Sequence, residues 1–395
     1  MVSPMKCVVA GYGSRGDIEP CIAVAAELQR RGHDVHAAIT LPPDMRGYVA
    51  SAGLVTVPYG RDWQELLRDD DFTSMLQNPL SAISQAVEYV TQVLAEKTST
   101  LLPLAEGADL VVAGLTEQQA AANIAELQHV PLAALHFFPS PILGGGSPES
   151  GVTTQAARAQ RRTLGLPEDA SGSAARPLEI QAYDKLCVPR LADEWSGDER
   201  RPFVGALTLE LPTDADDEVL AWVAAGSPPV YFGFGSTPVA ESADTVAVIS
   251  TACARVGVRA LICLGPNDFR GITHTEHVKV VREINHATVF PGCRAVVHHG
   301  GAGTTAAGLR AGTPALILWN GLDQPMWAAA VSHLGVGFGR RFSESTLDWL
   351  VTDLRVILAP QYAARGREVA AQMTTPAESL AATVDLLEEF VRRQD

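Results

Sequence analysis

No run of apolar residues in this chain approaches the roughly 18–20 needed to cross a bilayer as a helix. Residues 1–10 also lack the long apolar stretch and cleavage site of a secretory leader, so a soluble, cytoplasmic protein is expected. Cysteine is sparse. The six thiols, Cys7, Cys21, Cys187, Cys253, Cys263 and Cys293, show no C-x-x-C or zinc spacing, and Cys7 and Cys263 sit in apolar strand-like runs. They read as buried free thiols. Positive charge is in deficit: 30 Lys and Arg stand against 45 Asp and Glu, a net charge of −15. That balance argues against a nucleic-acid-binding surface. It does not exclude a small anionic ligand, because local helix starts and a few arginines decide that.

What is present is ordinary globular material in quantity. At 395 residues, 47% hydrophobic and 19% charged, the chain is long enough for two domains, each with its own core. The first half alternates strand-like and helix-like segments: 5–10, 35–39, 54–57, 110–113 and 132–135 as strands, 19–31 and about 118–127 as helices, with Gly32 ending the first helix. Asn78-Pro79 opens a further helix towards residue 102. Residues 138–175 are rich in proline, glycine and serine and read as loops around a short helix. After a return strand and linker at 200–212 the pattern restarts, with strands at 229–232, 260–263, 278–281, 295–297 and 315–318 and terminal helices at 346–359 and 377–393. No sequence repeat relates the halves. The expected fold class is α/β, two doubly wound, Rossmann-like domains facing across a cleft. The expected divisions are 1–202, a linker at 203–216, a second domain at 217–376, and a last helix, 377–395, packing back on the first domain.

Residues 297–324, VHHGGAGTTAAGLRAGTPALILWNGLDQ, carry the most chemistry. A strand ends in His298 and His299. Gly300, Gly301 and Gly303 follow, and a helix begins near Ala302–Thr304. A helix start has unpaired N–H groups and partial positive charge, so it suits a phosphate, and glycines let the backbone approach closely. His298 adds a donor at the strand's carboxyl end, where such sheets place ligands. Neighbours on a strand point opposite ways, so one of His298 and His299 is expected to face the ligand. Each residue also has a plainer role: a strand-end histidine bonded to backbone, or threonines (Thr304, Thr305) that cap the helix.

Near the amino end, Gly11–Gly16 fits G-x-G-x-x-G. A dinucleotide fold would want an acidic residue at the end of the second strand, and Ala38-Ile39-Thr40 has none, so a nicotinamide or flavin dehydrogenase is not favoured. Asp17, at the turn into the first helix, reads on its residue type as an N-cap. It also stands where a carboxylate can accept a proton.

Together, HHGGAGTTAAGLRAG…DQP and GSRGDIEP, about 280 residues apart, resemble the GT-B nucleotide-sugar-dependent glycosyltransferases, notably the bacterial glycopeptide-antibiotic and other natural-product enzymes and the sterol glucosyltransferases. The resemblance covers nearly the whole chain. It implies an inverting, metal-independent transfer of a hexose from a UDP- or dTDP-sugar to a hydroxyl of a lipophilic or natural-product aglycone, as in antibiotic biosynthesis. The nucleotide sugar is then a co-substrate and no cofactor is expected. Peripheral membrane contact is expected only for a lipid acceptor. Asp17 takes the slot of the histidine base found in many relatives. His298, Gly300, Gly301, Gly303, Thr304, Ser14, Arg15, Ser236 and Thr237 would meet the donor diphosphate, and Asp323 and Gln324 the sugar hydroxyls. Val280, Ile284 and His286 lie where the family cradles the base. Plant members bind the ribose through a glutamate, but Ala306 stands at that position here. Regions 60–78 and 138–175 would shape the acceptor pocket. Asp214-Ala215-Asp216 matches a metal-binding D-x-D by letter alone and reads as a helix start. A sugar-nucleotide epimerase, or a non-catalytic activator of the same fold, are the rival readings. Retention of Asp17, Asp323 and Gln324 counts against the activator.

Overall fold

The computed structural model describes residues 3–41, 45–51, 53–61, 83–139, 148–168, 176–209, 211–235, 242–272 and 275–394. The chain divides into two compact units that are not simple linear segments. The first comprises Met1–Ala182, Trp195–Leu209 and Pro376–Asp395; the second comprises Tyr183–Glu194 and Glu210–Thr375.

The first unit is built on β1 (Lys6–Gly11), β2 (Asp34–Ile39), β3 (Thr56–Val57), β4 (Leu110–Ala113), β5 (Leu132–His136) and β6 (Leu178–Gln181), in the order β3-β2-β1-β4-β5-β6. All pairings are parallel. Helices cover both faces of such a sheet, so its central strands are apolar throughout, as VVA in β1 and LVVA in β4 are. The helix Arg15–Arg30 follows β1 and buries Ile22, Ala25 and Leu28. The carboxyl-terminal helix Pro376–Arg392 adds Val384, Leu387 and Phe390 to the same core. Its polar edge is fixed by Arg31 to Asp385 at 2.6 Å and by His33 Nε2 to Glu388 at 3.1 Å.

The second unit contains β7 (Val230–Gly233), β8 (Ala260–Cys263), β9 (Val278–Val281), β10 (Ala295–His298), β11 (Ala315–Trp319) and β12 (Gly337–Arg341), all parallel, in the order β12-β11-β10-β7-β8-β9. Counted from its own first strand, this is the order of the first unit. The two halves therefore share a topology that no sequence repeat reveals. In both, the order of strands reverses between the first and fourth, β1 and β4 or β7 and β10. Doubly wound sheets bind ligands at the carboxyl ends of that pair.

Several boundaries differ from the sequence reading. The first helix begins at Arg15 rather than 19, which places Asp17 inside it. The third strand shrinks from 54–57 to Thr56–Val57. The helix among the loops of 138–175 is Pro148–Thr163, long rather than short. The return strand expected from residue 200 is a single bridge, Phe203 to Gln181. The strand there is β6, which the sequence reading missed together with β12 and the helix Pro360–Ala370. The division drawn at 202 also gives way. Tyr183–Glu194 joins the second unit because Tyr183 packs edge-on to Trp327 and Asp184 accepts the Thr374 N–H at 3.1 Å. Trp195–Leu209 joins the first, where the Gln181 N–H donates to Pro202 and the Val204 N–H to Gln181. The Asn78-Pro79 helix start and most of the 60–78 region lie outside the described residues.

Leu387 is fully buried in the first unit's core. Leu387→Ala is expected to cost about 2–5 kcal/mol, as large-to-small core changes do. Urea unfolding would read it, and a loss under 1 kcal/mol would mean the last helix is not part of that core.

Candidate functional site

In the second unit the reversal point is occupied by the glycine-rich segment. His298 ends β10 opposite Gly233, the last residue of β7. The backbone then turns through Gly300, whose φ of 93° is a left-handed conformation that suits glycine. A side chain there would also strike Ile317 at 2.7 Å and the start of the Gln324 side chain at 3.1 Å. That close approach brings the loop after β10 against the loop after β11, so the predicted phosphate and sugar segments are neighbours.

The helix Ala302–Arg310 begins at once. Its N-cap is Gly301, which offers no side-chain cap, so the helix start is left open. Thr305 does not cap it, because its hydroxyl bonds back to the Gly301 carbonyl at 2.9 Å. Thr304 is half-buried in the first turn, and Gly303 is exposed there.

His298 is 1% exposed. Its Nδ1 accepts the Gly300 N–H at 3.1 Å, which places the ring proton on Nε2. That Nε2 is buried and has no hydrogen-bond partner among the described residues. An unsatisfied buried donor costs about 1–3 kcal/mol, so it marks a place where a partner is wanted. Burial, with the neighbouring His299 and His286, holds the imidazole well below the usual histidine range, so it is neutral. His299 does something else. Its ring lies so close to Gly235 and Gly301 that a Cβ at either would meet it within about 2.5–2.6 Å. It fills space between the loops after β7 and β10, and burial pulls it to about 4. Its Nδ1 also lacks a hydrogen-bond partner among the described residues.

Asp323 stands at the N-cap position of the helix Gln324–His333 but makes no side-chain cap bond. One carboxylate oxygen, Oδ2, accepts the Trp327 indole N–H at 2.8 Å instead. Trp327 is buried and pinned edge-on by Tyr183, with centroids 6.3 Å apart. Only its four-residue spacing from Asp323 marks this tryptophan in the sequence. Burial raises the Asp323 carboxyl above its usual range, with the indole bond opposing. Gln324 turns its side-chain oxygen to the N–H groups of Asn320 and Gly321, at 2.8 and 3.4 Å. Leu322, between them, is exposed and left-handed, φ 56°.

Other expected residues are placed elsewhere or used differently. Ser236 and Thr237 lie outside the described residues. Val280 packs, partly buried, against the second unit's core, and Ile284 is buried. His286 stacks on Phe290 at 4.5 Å and faces the Tyr231 hydroxyl at 3.2 Å. Asp216 opens the helix Asp216–Ala224. Its carboxylate takes the Thr213 N–H and hydroxyl and the Asn285 N–H, at 2.7–2.8 Å, tying two segments of the unit together. Among the described residues no three His, Cys, Asp or Glu side chains gather as a metal site. No described helix is long and apolar enough to cross a membrane.

In the first unit the loop after β1 is tightly organised. Ser14, not Asp17, is the N-cap of Arg15–Arg30. Asp17, half-buried, takes the Ser14 N–H at 2.8 Å and hydroxyl at 2.7 Å on Oδ2, the reciprocal half of a capping box. The sequence reading of Asp17 as N-cap is thus corrected by three positions. Gly13, φ 129°, lets the carboxylate lie against the backbone; a Cβ would sit 2.5 Å from Oδ2. Arg15 is paired with Glu19 at 2.9 Å, and Glu19 also takes the Leu209 N–H.

Comparison with known proteins agrees with this architecture. A glycosyltransferase family 28 N-terminal domain model matches residues 7–140, and an erythromycin biosynthesis protein CIII-like C-terminal domain model matches 241–386. An uncharacterized glycosyltransferase of Mycobacterium tuberculosis is 54% identical over 98% of this chain and 100% of its own. The vancomycin aglycone glucosyltransferase of Amycolatopsis orientalis is 30% identical over 99% of this chain and 98% of its own. Among solved structures, the glycotransferase of kitacinnamycin superposes with a TM-score of 0.73 at 18% identity, covering 98% of this chain and 99% of that one. The glycosyltransferase VinC, solved in complex with dTDP, gives 0.62 at 20% identity, covering 98% and 100%.

The neutral state of His299 has a consequence for stability. Unfolded, it titrates near 6.5; folded, near 4. Between those values the unfolded chain binds the extra proton, so stability present above about pH 6.5 is lost as pH falls towards 4. His299→Gln is expected to flatten that dependence, read as urea midpoints at pH 7 and pH 5. An unchanged slope would show that this histidine does not titrate as placed.

Proposed function

Because this chain belongs to the GT-B glycosyltransferases of the natural-product type, we propose that it is an inverting enzyme moving a hexose from a nucleoside-diphosphate sugar to a hydroxyl of a lipophilic or natural-product aglycone. The observation that carries the donor half of this reading is the buried Nε2–H of His298, which has no partner among the described residues, beside a helix start with no side-chain cap. A diphosphate satisfies both at once: the helix offers N–H groups and partial positive charge, the imidazole a further donor. The open sites on Asp323 and Gln324 then read the sugar hydroxyls. Asp323 is oriented by Trp327, and the oxygen of Gln324 is already held by its own loop, leaving its amide N–H groups to donate.

On this reading Asp17 of the first unit is the base. The acceptor oxygen attacks the anomeric carbon while its proton passes to the Asp17 carboxylate. The bond from that carbon to the diphosphate oxygen breaks, and the electron pair leaves with the nucleoside diphosphate. One displacement inverts the anomeric configuration. The developing charge is met by groups already in place, the kind of preorganised donor whose removal typically costs about 10²–10³ in rate. The donor itself is the co-substrate, and the reaction is expected to run without metal or cofactor and to survive a chelator. The structural neighbour solved with dTDP makes dTDP-sugars, alongside UDP-sugars, the first donors to compare.

His298→Ala is expected to weaken binding of the free nucleoside diphosphate by about 1.5–3 kcal/mol, the worth of a hydrogen bond to a charged group. Calorimetry with UDP and dTDP reads this directly, and unchanged affinity for both would assign the histidine to structure alone. Asp17→Asn separates the cap from the base. The amide oxygen can still accept from Ser14, so the fold and diphosphate affinity are expected to stay while turnover falls by about 10²–10⁴. Retention of more than about a tenth of wild-type turnover would leave Asp17 as a cap only.

A further inference from the structure

The reversal point of the first sheet, between β1 and β4, holds a buried ion pair that the proposed chemistry does not use. Lys97, on the helix Ile83–Ala105, is 5% exposed, and Glu117, after β4, is 0% exposed. Lys97 Nζ donates to Glu117 Oε1 at 2.7 Å, and the Tyr59 hydroxyl donates to Oε2. Thr40, just past β2, donates in turn to the Tyr59 carbonyl. Glu117 occupies the N-cap position of the helix Gln118–Gln128 yet makes no side-chain cap bond. Its carboxylate is spent on Lys97 and Tyr59 instead.

The pair reaches the loop after β1 by two routes. Lys97 Nζ lies 3.5 Å from the centre of the Tyr12 ring, a close cation–π contact. Thr116, the residue before Glu117, donates its hydroxyl to the Tyr12 carbonyl at 2.6 Å. The Gly114 N–H donates to Ala10 at 2.8 Å and the Glu117 N–H to Gly114 at 2.9 Å, so the two loops are stitched together. Tyr12 is thus held by ring and by carbonyl, one residue before the Gly13 against which the Asp17 carboxylate packs.

We propose that Lys97, Glu117 and Tyr59 are positioning residues for the Tyr12–Asp17 turn, an inference that rests on the function proposed above. Stability does not explain them. Burying two charges takes them out of water, and a neutral pair of similar volume is often as stable or more so. What the charged pair adds is a fixed direction: a cation above one ring, a carboxylate bonded on both oxygens, and a turn that cannot drift. A catalytic group displaced by about 1 Å can lose about 10² in rate.

The test is the double variant Lys97→Met with Glu117→Gln in the full chain, which removes both charges and keeps the volume. The expected result is a near-normal melting temperature, an unchanged donor KM and diphosphate affinity, and a kcat lowered at least about tenfold. A normally melting variant with wild-type kcat overturns the proposal, as does a kcat, KM and melting temperature that all worsen together. Should the double variant not fold, Tyr59→Phe leaves the ion pair in place and frees one carboxylate oxygen. It is expected to lower kcat about threefold or more at constant KM, and an unchanged kcat there is equally fatal. Wild type and Asp17→Asn run alongside. A wild type that transfers no sugar from any nucleoside-diphosphate donor defeats the functional reading and this inference with it. If wild type transfers, Asp17→Asn does not, and the double variant keeps its kcat, the positioning role alone is lost.

Discussion

Each half of the chain is governed by the same constraint. Where the strand order of a doubly wound parallel sheet reverses, the two central strands send their following loops to opposite faces, and their carboxyl ends are left uncovered. The His298 glycine run follows β10, the Tyr12–Asp17 turn follows β1 and Glu117 follows β4. After β10 the chain turns directly into a helix whose glycine N-cap supplies no side-chain partner for the first-turn N–H groups. After β1 it does the same, but there Ser14 and Asp17 close the helix reciprocally.

The two units therefore answer one topological problem in opposite ways. The second leaves its reversal point unsatisfied, with a glycine cap and a buried imidazole donor lacking a partner among the described residues. The first saturates its own, with a capping box, the Arg15–Glu19 pair and the Lys97–Glu117–Tyr59 set. On the proposed function, this asymmetry suits an anionic donor at one point and a neutral hydroxyl at the other. A diphosphate needs donors that are waiting for it, whereas a hydroxyl needs one acceptor held still.

The fold was legible wherever burial was two-sided. The apolar runs at β1, β4, β5, β7, β8, β10 and β11 announce strands because central parallel strands are covered on both faces. The missed strands are β6, LEIQ, and β12, GFGRR, both at a sheet edge and both partly polar, so no hydrophobic run marks them. The glycine run after β10 and the Asp-Gln pair after β11 could be located from sequence because each lies within a few residues of its strand. Their working details could not. That His298 points its Nε2 into the interior while His299 fills the gap beside Gly235 depends on contacts across the sheet. That Asp323 serves Trp327 rather than its own helix start depends on how that helix is rotated. The Lys97–Glu117 pair joins residues brought together only by the sheet order, and nothing local to either residue marks it.

On the proposed function, the charge state of His298 bears on turnover as well as binding. Placed where it is, the ring cannot carry a proton near neutral pH without meeting the full cost of burial. A buried imidazolium would attract a diphosphate strongly in every state of the reaction, product included, and would slow its departure. A neutral Nε2–H beside a helix start is a milder partner whose hydrogen bond strengthens as negative charge builds on the accepting oxygen. Uniform attraction lowers KM without raising kcat, whereas attraction that grows with developing charge lowers the barrier. The desolvation that leaves this histidine neutral is, on the proposed reading, what lets the same site stabilise a leaving group and still release it.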